Sequence, residues 1–279
     1  MNSFFNRVGP VLCGAMLLFA FHTADAATRP GRVAVTGVKG AAEYQVRGEV
    51  AWHQLKIGMV LAEGISIRTK QGGRADLVFT TGAIARITQN SSISIDKLVE
   101  EVNGLPQPGK RPVGRTEITV LDGQLMTEVA KQTPGSIFRV HTPHGDIDVK
   151  GTQLAVAYDP KTGKITLALL KGSVTVRLGG QDIVMTEGTQ ISWTYNPTTG
   201  QYSVDPTTPA VPGLDYATFL REFTDSGIRD LVINSTNPVN LDAVLQDAFA
   251  YLGITGQSII VIPNINNPVI VSPTLPASP

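Results

Sequence analysis

A single cysteine, Cys13, is all the thiol chemistry in this 279-residue sequence, and it lies inside an apolar N-terminal run. Beyond that run there is nothing to form a disulfide, a thiolate nucleophile or a cysteine-held metal. A charge excess of one sign is also missing: 23 Lys and Arg balance 23 Asp and Glu. Nucleic-acid binding, which needs a basic face or stripe, is therefore not expected. No Gly-x-Ser-x-Gly elbow occurs, nor a phosphate-cradling glycine loop ending in Lys-Ser or Lys-Thr, so nucleophilic and nucleotide chemistry have no visible candidate. From Arg32 to Val204 a sustained helical period is absent too, which removes the crossover helices that a parallel α/β sheet requires.

What is present is period two. Apolar and polar residues alternate in Ile65-Ser66-Ile67-Arg68, Ala75-Asp76-Leu77-Val78-Phe79, Ile84-Ala85-Arg86-Ile87, Ile93-Ser94-Ile95 and Val174-Thr175-Val176-Arg177-Leu178. These segments predict half-buried strands, with Thr80-Thr81-Gly82, Pro160-Lys161-Thr162-Gly163 and Leu178-Gly179-Gly180-Gln181 as turns. The fold class expected is all-β: an antiparallel sandwich or jelly roll, or a short solenoid-like stack, with a small C-terminal helical extension. The proline-rich stretch Asn103 to Pro112 predicts an exposed loop joining two strand-rich halves. An apolar-x-Gly-x-apolar form recurs in Leu121-Asp122-Gly123-Gln124-Leu125 and Leu170-Lys171-Gly172-Ser173-Val174. It reads either as an internal echo or as chance recurrence of a common turn.

The first 26 residues read as a secretory signal peptide. Arg7 supplies the positive n-region, Val11 to Phe21 the apolar core and Ala24-Asp25-Ala26 the cleavage site. A mature chain starting at Ala27 would carry no membrane-spanning segment and would be periplasmic or secreted. Residues 27–204 form the expected β domain, and 205–213, with Pro206, Pro209 and Pro212, a linker. In the extension, residues 214–279, Tyr216, Phe219, Leu220 and Phe223 share one helical face. Leu241, Val244, Leu245, Ala248, Phe249 and Leu252 share another, between a capping Asn240 and Gly253. Both stripes are expected to pack inward. The segments Ile259 to Ile262 and Val269 to Val271 read as edge strands or tail, and a Pro-rich terminus follows.

Several motifs, in order, carry a family resemblance: Gly64-Ile65-Ser66-Ile67-Arg68-Thr69, Ala75 to Ala83, Leu121 to Leu125, Phe138-Arg139-Val140-His141-Thr142-Pro143-His144-Gly145, Lys150-Gly151-Thr152, Leu170 to Val176 and Glu187-Gly188-Thr189-Gln190. Together they resemble the FecR-type domain of bacterial envelope signalling proteins, over about residues 33 to 192. The resemblance implies an all-β periplasmic domain without catalytic residues. In members that regulate iron uptake, it implies relay of a receptor signal across a membrane helix to a cytoplasmic anti-sigma segment. Here a signal peptide stands where that segment would be, so the resemblance carries the fold further than the role.

Gly82, Gly123, Gly151, Gly172 and Gly188, with Thr152, are expected to be structural, at strand ends where a side chain would not fit. His141, His144 and Asp146 are the one grouping of metal-ligand side chains, weighed against a solvated hairpin end; no metal or other cofactor is expected. Asp146 and Asp148, on one strand face, lack the cleft that a glycosidase pair needs. Trp193 and Tyr195 lie two apart on one strand and are candidate binding rings, against Trp193 being core. The function expected is therefore non-catalytic: binding or scaffolding in the cell envelope, with a role in signal relay. The partner is an envelope protein or a cell-wall polysaccharide. The alternative is a carbohydrate- or peptidoglycan-binding, or carbohydrate-active, domain.

Overall fold

The structure, a computed structural model, describes residues 28–101, 111–210 and 214–234. The signal-peptide reading, most of the Asn103 to Pro112 loop, the second helical pattern and the C-terminal apolar runs lie outside these residues. In chain order the strands begin with β1 (Thr28–Pro30), β2 (Val33–Lys39), β3 (Ala42–Val46), β4 (His53–Gln54), β5 (Val60–Leu61), β6 (Ile65–Thr69), β7 (Arg74–Phe79), β8 (Ala83–Ile87) and β9 (Ser92–Glu101). They continue with β10 (Gly114–Val129), β11 (Ile137–Thr142), β12 (Gly145–Val149), β13 (Gln153–Asp159), β14 (Lys164–Lys171), β15 (Ser173–Leu178), β16 (Gln181–Thr186), β17 (Thr189–Asn196), β18 (Gln201–Val204) and β19 (Thr208–Pro209). Helix α1 (Leu214–Asp225) and a π-helical turn, Asp230–Asn234, follow.

All strands belong to one connected ladder, but its registers branch at β10 instead of closing into a ring. A front sheet runs β4-β3-β6-β9-β10-β11-β12-β15-β16, with β1 on the free stretch of β9. A back sheet runs β5-β2-β7-β8-β10-β13-β14-β17, with β18 and β19 on the far edge of β17. The long β10 belongs to both: Gly114 to Asp122 pair in front and Gly123 to Val129 behind. Every pairing is antiparallel except β10 with β11, because the chain returns from back to front between them.

The period-two residues close the sandwich. Ile65, Ile67, Ile93, Ile95, Leu154, Val156, Ile165, Leu167, Val174 and Val176 are all buried in one core shared by both sheets. Phe79 from behind meets Phe138 from in front edge-on, with centroids 6.4 Å apart. Each such side chain contributes about 1.5–3 kcal/mol of burial.

A second apolar layer covers the outside of the back sheet. Tyr216, Phe219 and Phe223 of α1, with Ile228 and Val232, pack on Ala34, Val60, Val78, Ile84 and Met126. The first helical stripe thus packs inward as its spacing predicts. That cover changes the reading of β8: Ala83 to Ile87 are buried on both faces, not half-buried. The strands on either side of the Pro-rich loop, β9 and β10, are neighbours in the front sheet and pair from Gly114↔Glu100 onward. Within the stretch read as linker, Thr208–Pro209 pair with β17.

Candidate functional site

Four of the five motif glycines mark where the chain changes sheet. Gly82, Gly123, Gly151, Gly172 and Gly188 all have positive φ, a conformation that glycine adopts without strain. Gly82 turns the β7–β8 hairpin, whereas the other four are corners between front and back sheets. This explains the recurrence at Gly123 and Gly172: each apolar-x-Gly-x-apolar string carries the chain from one sheet to the other. The corners also stack on backbone. A Cβ on Gly123 would come 2.5 Å from the Asn90 carbonyl oxygen, and one on Gly172 would come 2.7 Å from that of Gly151. Thr152, beside Gly151, is 2% exposed and its carbonyl accepts the Val129 N–H.

The turn between β11 and β12 brings His141 and Asp146 together but not His144. His141 Nδ1 lies 2.7 Å from Asp146 while Nε2 faces Glu117 at 3.5 Å. The two carboxylates sit on opposite sides of the ring and do not converge with it on one point. Among the described residues no three His, Cys, Asp or Glu side chains form a metal-holding group. Asp148 is bridged by Arg139 and Arg177, both at 2.6 Å, and so belongs to an ion-pair ladder. The only Ser-x-x-Lys string, Ser94 to Lys97, forms no dyad: Ser94 donates to Asp96, and Lys97 pairs with Glu63.

Trp193 and Tyr195 have different fates on the same strand. Trp193 is 1% exposed and its indole N–H donates to the His144 carbonyl at 2.6 Å. It is core, which rules out its ring as a binding face and makes it the anchor of the β11–β12 turn. Tyr195 is half-buried and stacks on the His144 ring, with centroids 4.9 Å apart, and packs against Tyr202 at 5.0 Å. Tyr158 meets His144 edge-on at 6.5 Å. These four rings plug one end of the sandwich, held by geometry typical of aromatic pairs.

Tyr158 also lines a groove of about 400 Å³ with Thr88, Gln89, Gln124, Asp159, Thr162, Lys164 and Thr166. Its floor is the β10 corner at Gly123. Two hydrogen bonds, from the Thr162 hydroxyl and the Lys161 N–H, hold the Asp159 carboxyl below its ordinary value and fix it at the rim. Lys164 reaches Asp205 at 2.8 Å. The groove is thus a polar recess with one fixed carboxylate, one ammonium and several amide and hydroxyl groups. Such a surface orients a ligand by hydrogen bonds. Tyr158, Tyr202 and the groove were invisible to sequence reasoning, because strands distant in the chain assemble them.

A further set of charges lies under α1. Arg86, 4% exposed at its side chain, donates to Asp76 at 2.6 Å and to Glu222 at 2.5 Å. Arg229 donates to the buried Glu128 at 2.6 Å. Charged residues inside otherwise apolar strands were the sequence signal for this network.

Residues 65–175 match the FecR protein family. The FecR match runs from the start of β6 into β15 and contains the groove's floor, the β11–β12 turn and the Gly123, Gly151 and Gly172 corners. It bears out the resemblance read from the motifs and supports a signalling or regulatory role. No curated protein matches the chain. Two solved structures, each described as a candidate anti-sigma factor from Parabacteroides distasonis, are similar to it. The first is 16% identical with a TM-score of 0.38, over 50% of this chain and 58% of that one. The second is 15% identical with a TM-score of 0.40, over 67% and 91%. Among the described residues no helix is long and apolar enough to cross a membrane.

Proposed function

We propose that this chain is a non-catalytic, exported FecR-like protein that acts in the cell envelope by binding a partner protein as part of a signal relay. The observation that carries the reading is Tyr158. It joins a half-exposed ring cluster to a polar groove of about 400 Å³ on a FecR-type sandwich. Rings and hydrogen-bonding groups side by side are the composition of a recognition surface. Export rests on the N-terminal pattern, and N-terminal sequencing of protein from the envelope fraction should begin at Ala27.

The binding test is affinity capture from envelope extract with wild-type chain and with Tyr158→Ala/Lys164→Ala. One protein retained by the first and lost by the second, with equal folding by circular dichroism, supports the proposal. Equal retention, or none by either, removes it.

A second reading is favoured by the stacked His144, Tyr195 and Tyr202 rings, since ring faces suit sugars. It predicts co-sedimentation with purified peptidoglycan, reduced by Tyr195→Ala. Absence of co-sedimentation rejects it.

A further inference from the structure

We propose that β16 is a self-association edge, through which two copies of this chain join their front sheets about a two-fold axis at Val184. Strand β16 pairs with β15 alone, from Ser173↔Thr186 to Leu178↔Gln181. Its other side faces no described strand. Other strands with a single neighbour are blunted: β4 and β5 are two residues long, β1 and β19 end in Pro30 and Pro209, and β18 has four residues. Strand β16 has six residues with no proline, lysine or arginine. Edges of this kind are templates for another strand unless they are protected.

The geometry selects one register. Gly179 and Gly180 both have positive φ, 56° and 85°, and form the two-residue turn that makes Leu178 and Gln181 a hydrogen-bonded pair. Hydrogen-bonded and non-bonded pairs then alternate up the hairpin. Val176↔Ile183 and Val174↔Met185 bond inward, which by that alternation turns the N–H and C=O groups of Asp182 and Val184 and the N–H of Thr186 outward, while the Thr186 carbonyl already accepts the Thr189 hydroxyl and meets the second copy as a shared acceptor.

Two copies of β16 running antiparallel present these outward groups to one another when Val184 faces Val184 of the second copy. In that register Asp182 faces Thr186, so no like charges meet, and Ile183 faces Met185 across the inner side. Val184 is 70% exposed, an unusual state for a β-branched apolar side chain in the middle of a strand, and this pairing covers it. Asp182, the only charge on the strand, is already turned back to Arg177 at 3.4 Å. The edge is therefore self-complementary in backbone, apolar contact and charge.

The test is sedimentation velocity across a concentration series on the full chain and on Val184→Lys and Val184→Thr. The wild type and Val184→Thr should dimerise, and Val184→Lys, which places two ammonium groups opposite each other, should weaken association by at least about tenfold. Unchanged melting of Val184→Lys separates lost pairing from lost folding, since the side chain is exposed. In a Cys13→Ser background, Val184→Cys should form a disulfide-linked dimer under mild oxidation. A wild type that stays monomeric, a dimer indifferent to Val184→Lys, or an extended partner peptide that occupies β16 while the chain remains monomeric would each overturn the proposal.

Discussion

The two outer faces of the sandwich use the same strand period and reach opposite solutions. On the front sheet the outward positions carry charges of alternating sign. Glu117 lies between Arg115 and His141, Asp148 between Arg139 and Arg177, and Glu43 between Arg68 and Lys70. Most of these side chains are half-exposed, so water solvates the face and nothing has to cover it. On the back sheet the outward positions of β7, β8 and β10 include Val78, Ile84 and Met126. That face is unstable in water, and α1 covers it with three aromatic side chains. An ion pair on the front costs little to lose, whereas a charge beneath α1 must be paired because it has left solvent.

This contrast makes the back face the place to look for large effects. Phe219, fully buried between Tyr216, Phe223 and the sheet, is the centre of the cover. Phe219→Ala should cost about 3–5 kcal/mol through the lost ring and the cavity left behind, read from urea unfolding. If it costs under about 1 kcal/mol, α1 is not integral to the fold and the contrast between faces fails.

Next is Arg86→Met, which removes the buried guanidinium shared by Asp76 and Glu222 and leaves them only Arg74, 3.5 Å from the first and 2.9 Å from the second. Breaking a buried pair from one side costs about 3–5 kcal/mol. Here the lower end is expected, because Glu222 is reached by solvent and Arg74 lies 2.9 Å from it. The double variant Arg86→Met/Asp76→Asn should recover part of that loss, since it removes the charge left behind.

A pH series tests the same network more gently. Burial pushes the Glu222 carboxyl up, but the hydrogen bond and charge of Arg86, with Arg74 beside it, outweigh burial and hold it below its ordinary value of 4.5. A carboxyl held low in the folded state stabilises fully above the unfolded value and loses that contribution as pH falls through the lower, folded one. The difference in urea midpoint between wild type and Glu222→Gln should therefore be constant near neutrality and shrink below about pH 4.5. A difference that grows on acidification would contradict the pairing.

The smallest effect belongs to the front. Arg139→Ala breaks a 2.6 Å pair with Asp148, yet Arg177 still neutralises that carboxylate. The expected loss is at most about 1 kcal/mol, reduced further in high salt. A loss as large as that of Arg86→Met would show the front ladder to be structural in the same sense as the back network.

How far these features could be read beforehand depended on their range. The alternation in β6, β9 and β15 and the helical stripe at Tyr216, Phe219 and Phe223 are local, and they predicted strands and an inward-facing helix. The glycines were legible as structural positions, but not as corners between sheets. That role needs the Asn90 and Gly151 backbones brought against them from elsewhere in the chain. Trp193 and Tyr195 show the same limit within one strand. Two residues apart they share a face, yet one lies in the core and the other at its open end, because β17 runs out of the sandwich between them. Arg86 was read as the polar member of a half-buried strand, and only α1, far along the chain, turned it into a buried cation.

The amino-acid sequence by itself determined which segments become strands, which face of each is apolar, where glycine must stand and that no cysteine chemistry lies beyond Cys13. Those properties follow from side-chain period, backbone sterics and composition, all set within a few neighbouring residues. Only the tertiary structure decided which sheet each strand joins, which outer face is covered, and that Tyr158, His144, Tyr195 and Tyr202 meet beside a groove. Such outcomes depend on contacts between residues far apart in the chain, and these exist only once the core has drawn the two sheets together.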